Sequence, residues 1–364
     1  MKVIYNLSII LLSLTVSIFP QKINGDDYNT AGISVMPYFQ TWKGINNTTL
    51  EQYSSRIFLS YFINRDTRIS LQSGYASSEA LQNSISGLSD AQLSVNYRLR
   101  KLNTAFDFGV NLPTGEEKVD LLNFQSSVIL CQEVFSMKMP LLRQGTNIFA
   151  GATWAKDLND NIIVGVGASY QIKGKYNPIS GDTISYKPSN ELLFTCGVDF
   201  RINSTATVSG DVIGIIYGDD KINGINSFSA GTKTIFNLMF RKYFGYNNLM
   251  IFVRYRNCAS EKLTGISADI SSEKISPDNL AALINFAHRI TGNLLLNYLI
   301  EGRFYEKTVA PFSGYNIYGI GITSDLKVSP NFSLPFTAKY YVGNSAGSPS
   351  ISGLETGLGL NITF

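Results

Sequence analysis

The feature that most constrains this chain is the rhythm of its connections. After Asp26, short turns alternate strictly with longer polar stretches. The short ones fall at Asn64–Asp66, Lys101–Asn103, Lys156–Asp160, Asn203–Ser204, Phe244–Asn247, Thr291–Asn293 and Ser329–Asn331, and each carries Asn, Asp, Gly or Pro, residues that accept turn dihedrals. The longer ones span 43–52, 78–89, 113–144, 174–190, 218–229, 259–278, 306–314 and 343–352. Seven turns and eight loops join sixteen segments, and all the long connections fall at one end. A soluble sandwich has no reason for that asymmetry, whereas a membrane-spanning barrel has short turns on one side and long loops on the other.

The segments themselves alternate with a period of two, the signature of strands with two different faces. From Leu249 to Asn257, Leu249, Ile251, Val253 and Tyr255 oppose Met250, Phe252, Arg254 and Arg256. In the last segment Leu354, Thr356, Leu358, Leu360, Ile362 and Phe364 lie on one face, and Glu355, Gly357, Gly359, Asn361 and Thr363 on the other. Most segments have ten to thirteen residues, where about 9 to 11 tilted residues cross a bilayer. Charged residues are only 16% of the chain and aromatics 12%, a balance poor in charge for a soluble domain. No apolar run of about 18 residues follows the N-terminus, so a spanning structure must be made of strands closed on themselves. The fold expected is all-β, a transmembrane antiparallel up-and-down barrel of about sixteen strands, with fourteen as the alternative. Pro37 and Pro335 lie inside strands and should each mark a bulge or a displaced strand end.

A count of every apolar stretch gives seventeen, one more than parity allows. The odd one is Asp120 to Met139, where Phe124, Val128, Cys131 and Phe135 recur at helical spacing. It is read as a helix in the third external loop, packed against or folded into the barrel mouth.

Residues 1–25 read as a secretory signal peptide, with Lys2, an apolar run from Ile9 to Phe19 and a small residue at Gly25, leaving 26–364 as the barrel. Without Lys2 and Lys22 the chain has 28 basic against 27 acidic residues, a balance that gives no case for nucleic acid. Cys131, Cys196 and Cys258 are widely spaced and form no metal or disulfide pattern, and the chain has a single histidine, His288. That histidine shares the lipid-facing side with Ile284 and Phe286, near the turn end. No nucleophile–base pair, phosphate loop or metal cluster is recognisable, so neither an enzyme nor a cofactor site is expected.

The inward face is the place for function. Alternation gives it Arg98, Asp107, Asp199, Arg201, Asp211, Arg241, Arg254, Arg256, Glu301, Arg303, Asp325, Lys339 and Glu355. These either line a polar pathway or pair with one another as a stiffening ladder. The same face carries apolar residues that a water-filled pore does not need. The mixture is densest on two neighbouring segments, with Met250, Phe252, Arg254 and Arg256 on one and Ile235, Met239 and Arg241 on the other. This patch is the candidate solute pathway: the apolar side chains would hold the body of a molecule and a guanidinium its polar end.

Gly87–Leu99 (GLSDAQLSVNYRL), Asn111–Gly115 (NLPTG) and Tyr170–Asn177 (YQIKGKYN) resemble the outer-membrane barrels associated with phenol and aromatic-hydrocarbon degradation, relatives of the long-chain fatty-acid transporters. The resemblance is carried by residues 87–178. It implies passage of small hydrophobic or aromatic solutes across a bacterial outer membrane, contact with outer-membrane lipid, and recognition of the C-terminal strand, ending on Phe364, by the barrel assembly machinery. It departs from the fatty-acid transporters in lacking their plug-like N-terminal segment, for which the helix at 120–139 is the candidate substitute. The rival reading is a structural or recognition barrel with a sealed lumen and external loops that bind a partner.

Overall fold

A computed structural model describes residues 31–45, 48–80, 83–115, 119–140, 142–181, 183–263, 272–310, 312–345 and 348–364. The expected signal peptide lies outside these residues. Sixteen strands form the wall: β1 (Ala31–Ile45), β2 (Thr48–Phe62), β3 (Thr67–Ala80), β4 (Asn83–Leu88 and Ala91–Leu99), β5 (Thr104–Leu112), β6 (Asn147–Asn159), β7 (Ile162–Lys173), β8 (Glu191–Asn203), β9 (Ala206–Tyr217), β10 (Lys233–Phe244), β11 (Asn247–Cys258), β12 (Asn279–Arg289), β13 (Leu294–Tyr305), β14 (Asn316–Ser329), β15 (Phe332–Ser345) and β16 (Ser348–Leu358 and Leu360–Thr363). Each pairs antiparallel with its sequence neighbours. The sheet closes where β16 pairs with β1, Tyr38–Lys43 against Ser352–Gly357 and Gly32–Val35 against Leu360–Thr363. Closure leaves no edge with unpaired backbone groups, the condition for strands in lipid.

The alternation sorts as the sequence requires. Leu93, Tyr97, Phe108, Val166, Phe194, Val198, Phe236, Leu238, Ile251, Tyr255, Ile300 and Ile320 all stand exposed on the outer surface, which is unfavourable in water and favourable against acyl chains. Several short turns are held by asparagine side chains. Asn64 Oδ1 accepts the N–H groups of Asp66 (2.9 Å) and Thr67 (2.8 Å), and Asn203 Oδ1 accepts that of Thr205 (3.0 Å).

Three of the eight expected long loops are not loops. Residues 43–45 with 48–52, 78–80 with 83–88, and 343–345 with 348–352 continue as paired strands, with Ile45 opposite Thr48, Ala80 opposite Asn83 and Ser345 opposite Ser348. Their polar composition suggested loops, but an extended ladder above the membrane needs no apolar face. The wall is therefore taller along β15, β16 and β1–β4. The inner side of this rim carries the main hydrophobic core, in which Trp42, Leu50, Ala80, Ile85, Ile317, Tyr341 and Ile351 pack around Leu130, Val134, Phe135 and Met137.

Those last residues belong to the third external loop. The helix expected over Asp120–Met139 is shorter: α1 spans Leu121–Leu130, with Asp120 as its N-cap accepting the Asn123 N–H at 2.8 Å. Beyond Cys131 the chain makes one 3-10 turn, Glu133–Phe135, and passes through Ser136 at φ 47°. Helical spacing there was genuine, but wall side chains take the backbone groups that a longer helix would have paired internally.

The two interior prolines share one cause. Pro37 on β1 and Pro335 on β15 flank the single break in β16 at Gly359, whose N–H donates to Pro335 O at 2.7 Å. The register is the same on both sides of the break, so neither proline creates a bulge. The ladder simply skips the positions where proline has no N–H. Gly359 is required by close approach, since a Cβ there would come within 2.9 Å of Val35 O and 3.0 Å of Pro335 Cγ.

The motif used for the resemblance has a structural job. Ser89 and Asp90 interrupt β4, and the Asp90 carboxylate accepts the N–H groups of Gly115 (3.0 Å) and Gln144 (2.6 Å). Thr114 Oγ1 accepts the Ala91 N–H at 2.8 Å. GLSDAQ and NLPTG thus staple both ends of the third loop at its root. Burial raises the Asp90 carboxyl above its usual range, and the N–H donors offset part of that.

Candidate functional site

The lumen is crossed by residues 131–139. On one wall, β1 and β2 hold the segment by its backbone: Trp42 Nε1–H donates to Phe135 O (2.9 Å), Gln40 Nε2–H to Ser136 O (3.2 Å), and Gln52 Nε2–H to Met139 O (2.9 Å). The same amides accept in return, Gln40 Oε1 from Lys138 N–H (2.7 Å) and Gln52 Oε1 from Met139 N–H (2.9 Å). Arg56 donates to Lys138 O, and Lys138 Nζ pairs with Glu355 of β16 at 2.9 Å. On the far wall, Arg256 of β11 forms a two-pronged ion pair with Glu133. Arg303 Nη1 of β13 donates to Val134 O (3.3 Å) and to Ser136 Oγ, and Tyr305 OH donates to Glu133 O (3.2 Å). Since β2 and β11 are seven strands apart by the shorter way round sixteen, the segment spans a chord of the barrel.

The electrostatics follow from that position. Burial alone would raise the Glu133 carboxyl, but the Arg256 guanidinium outweighs it and holds the group below the usual carboxylate range. Burial lowers the Lys138 ammonium, and Glu355 returns part of the loss. Burial also pushes the Cys131 thiol up to about 12, so this cysteine stays a neutral thiol.

Away from the chord, toward the turn end, the lumen stays open. The inner faces of β4–β9 line a cavity of about 710 Å³. Ala105, Thr153, Ala155, Gly165, Thr195 and Gly197 supply its space, because their side chains are short. Arg98, Asp199, Ser209 and Asp211 supply its polar groups, and Arg100 and Asn103 place its end at the turn side of the barrel.

The structure brings all seven residues of the candidate patch to the inner face, six of them as cross-strand partners: Ile235 opposite Arg256, Met239 opposite Phe252, and Arg241 opposite Met250. Arg254 stands opposite Asn237. The patch is divided, however. Ile235 (2% exposed) and Arg256 (9%) are buried at its outer end, where Arg256 holds the crossing segment. Met239, Arg241, Met250, Phe252 and Arg254 are only partly buried. Arg254 stacks on Phe252, with its guanidinium carbon 5.3 Å from the ring centre, and donates to Asn237 Oδ1 (2.8 Å). Asn237 in turn donates to Asp211 Oδ1 (2.7 Å), which lines the cavity. The patch therefore lies outside the cavity lining and is connected to it through Asn237 and Asp211 by a hydrogen-bonded chain.

Sequence reasoning missed the grip on the crossing segment. Gln40, Trp42 and Gln52 belonged to stretches read as a strand end and a loop, and Glu133 and Lys138 to a helix. The available signal was the cluster of large inward side chains, Gln40, Trp42, Leu50 and Gln52, in a stretch otherwise rich in Ser and Thr. His288 lies on the outer face beside Phe286, ring centres 6.2 Å apart, and no group of metal-ligating side chains occurs among the described residues.

No family model matches the sequence, and no curated protein matches it. Solved structures align with the chain at low identity. The outer membrane protein OpdK from Pseudomonas aeruginosa is 8% identical, with 92% of this chain and 98% of that one covered and a TM-score of 0.49. A bacterial polysaccharide outer membrane secretin is 10% identical, covering 93% and 100%, TM-score 0.48. A mutant of the monoaromatic hydrocarbon channel TodX is 9% identical, covering 92% and 90%, TM-score 0.46. What places this protein in the bacterial outer membrane is its own geometry: an even-stranded closed barrel, an apolar outer face, and turns and loops segregated to opposite ends.

Proposed function

We propose that the protein is a passive channel for small hydrophobic or aromatic solutes bearing one polar end, with the third external loop as its constriction. The observation that carries this reading is the cavity of about 710 Å³ left in the turn half of the lumen, away from the crossing segment, a volume in the range that holds small organic ligands. Its walls are mostly short apolar or hydroxyl side chains, with Arg98, Asp199 and Asp211 as the few polar groups, and the Arg254–Phe252 stack is joined to Asp211 through Asn237. A flat guanidinium over an aromatic ring suits a planar solute with a carboxylate or phenolic oxygen.

The test is uptake of an aromatic acid into proteoliposomes, together with single-channel conductance in a planar bilayer. Thr195→Trp, which fills the cavity from β8, should lower both while leaving the barrel folded. The second reading, a sealed barrel whose external loops bind a partner, is favoured by the crossing segment itself. It requires that the wild-type protein show neither conductance nor uptake.

A further inference from the structure

We infer that the outer surface of the barrel, at its loop end, carries a binding site for a phosphorylated lipid of the outer leaflet. A second cavity, of about 420 Å³, lies where β7–β9 meet the loops above them. Its lower part is a row on the lipid-facing side, with Leu192 of β8 paired to Tyr170 of β7 and to Ile216 of β9. Tyr170 and Ile216 are exposed there. Its upper part is a row across a small sheet built from the loops, separate from the barrel wall. Lys221 (in the strand Asp219–Ile222) stands directly opposite Lys187 (in Tyr186–Lys187) on one side and Asn226 (in Ile225–Ser229) on the other.

Two lysines directly opposite each other repel, and both ammonium-bearing residues are exposed. The arrangement is relieved when an anion sits between them. Asp219 also lines the cavity, but its two oxygens accept from Asn226 Nδ2 (3.0 Å) and Ser229 Oγ (2.7 Å). The opposite face of the same small sheet is sealed by Asp220, which accepts from Tyr186 OH (2.6 Å) and Ser189 N–H (2.7 Å). The lysine row is therefore held on a rigid support. A cationic row directly above an apolar row, at the membrane boundary, matches an amphiphile with a phosphate head and acyl chains. A free phosphate ion would use only the upper row.

The test uses the purified full-length barrel in detergent and native mass spectrometry with bisphosphorylated lipid A as the probe. The wild type should retain bound lipid. Lys187→Gln with Lys221→Gln should weaken retention about thirtyfold, on the scale of about fivefold per basic side chain at an anionic membrane surface. Lys187→Arg with Lys221→Arg should retain it, which separates loss of charge from loss of fold. Equal retention by wild type and the glutamine variant overturns the site. Displacement of lipid A by equimolar inorganic phosphate overturns the lipid assignment and leaves an ion site.

Discussion

Replacing Arg256 by alanine removes the ion pair from the far-wall end of the grip, where Arg303 and Tyr305 still donate to Val134 O and Glu133 O, and leaves Glu133 under the rim without its counter-ion. Breaking one partner of a fully buried ion pair costs about 3–5 kcal/mol. Here the side chains are 11% and 29% exposed, so water screens part of the loss and about 2–3 kcal/mol is expected. That raises the population with residues 131–139 undocked by about 30- to 150-fold. The near-wall bonds to Gln40, Trp42 and Gln52 outnumber the far-wall bonds that Arg303 and Tyr305 keep, so the segment opens as a flap hinged on β1 and β2. Hydrogen exchange at residues 131–139 should accelerate by that factor, and planar-bilayer conductance should rise. Glu133→Gln with Arg256→Met should be less disruptive than Arg256→Ala, because neither partner is then left charged and alone. Acid should mimic the mutation. The docked Glu133 lies below the ordinary carboxylate value of 4.5, so its contribution to docking is complete above that pH and is lost as pH falls through the depressed value. Exchange should be flat in pH from about 5 to 8 after correction for intrinsic rates and should accelerate below about 4. Exchange in Arg256→Ala within about threefold of wild type, in a barrel that is otherwise folded, refutes the reasoning.

Asp90→Ala deprives two loop-root N–H groups of their acceptor at about 1–3 kcal/mol each if they stay dry, so proteolysis within residues 113–146 should accelerate while the barrel band on an unheated gel is unchanged. Gly359→Val should lower the yield of heat-modifiable folded barrel, since no Cβ fits against Val35 O and Pro335. Protease added to intact cells should cut within 174–190 or 259–278, and cleavage confined to the short turns would invert the topology. Arg254→Ala and Phe252→Ala should each slow uptake of an aromatic acid. If both fold normally and transport at the wild-type rate, this patch is off the pathway.

The sequence determined what is local. Period-two alternation assigned each strand its two faces, and turn chemistry separated short connections from long ones, so sixteen strands and the inner positions of Arg254, Phe252, Met239 and Arg241 are legible in the chain alone. Polarity misled at 43–52, 78–89 and 343–352, because a hydrated hairpin and a loop have the same composition and differ only in whether the backbone is paired. The end of α1 was likewise undetermined, since nothing between Leu130 and Met139 breaks a helix by propensity. Only the tertiary structure decided it, by offering the backbone of that stretch better partners. Gln40 meets Ser136 across 96 residues of sequence, and Arg256 meets Glu133 across 123. Interactions of that separation exist only once the sheet has closed and its walls face each other, which is why the barrel could be read from the chain and the chord across it could not.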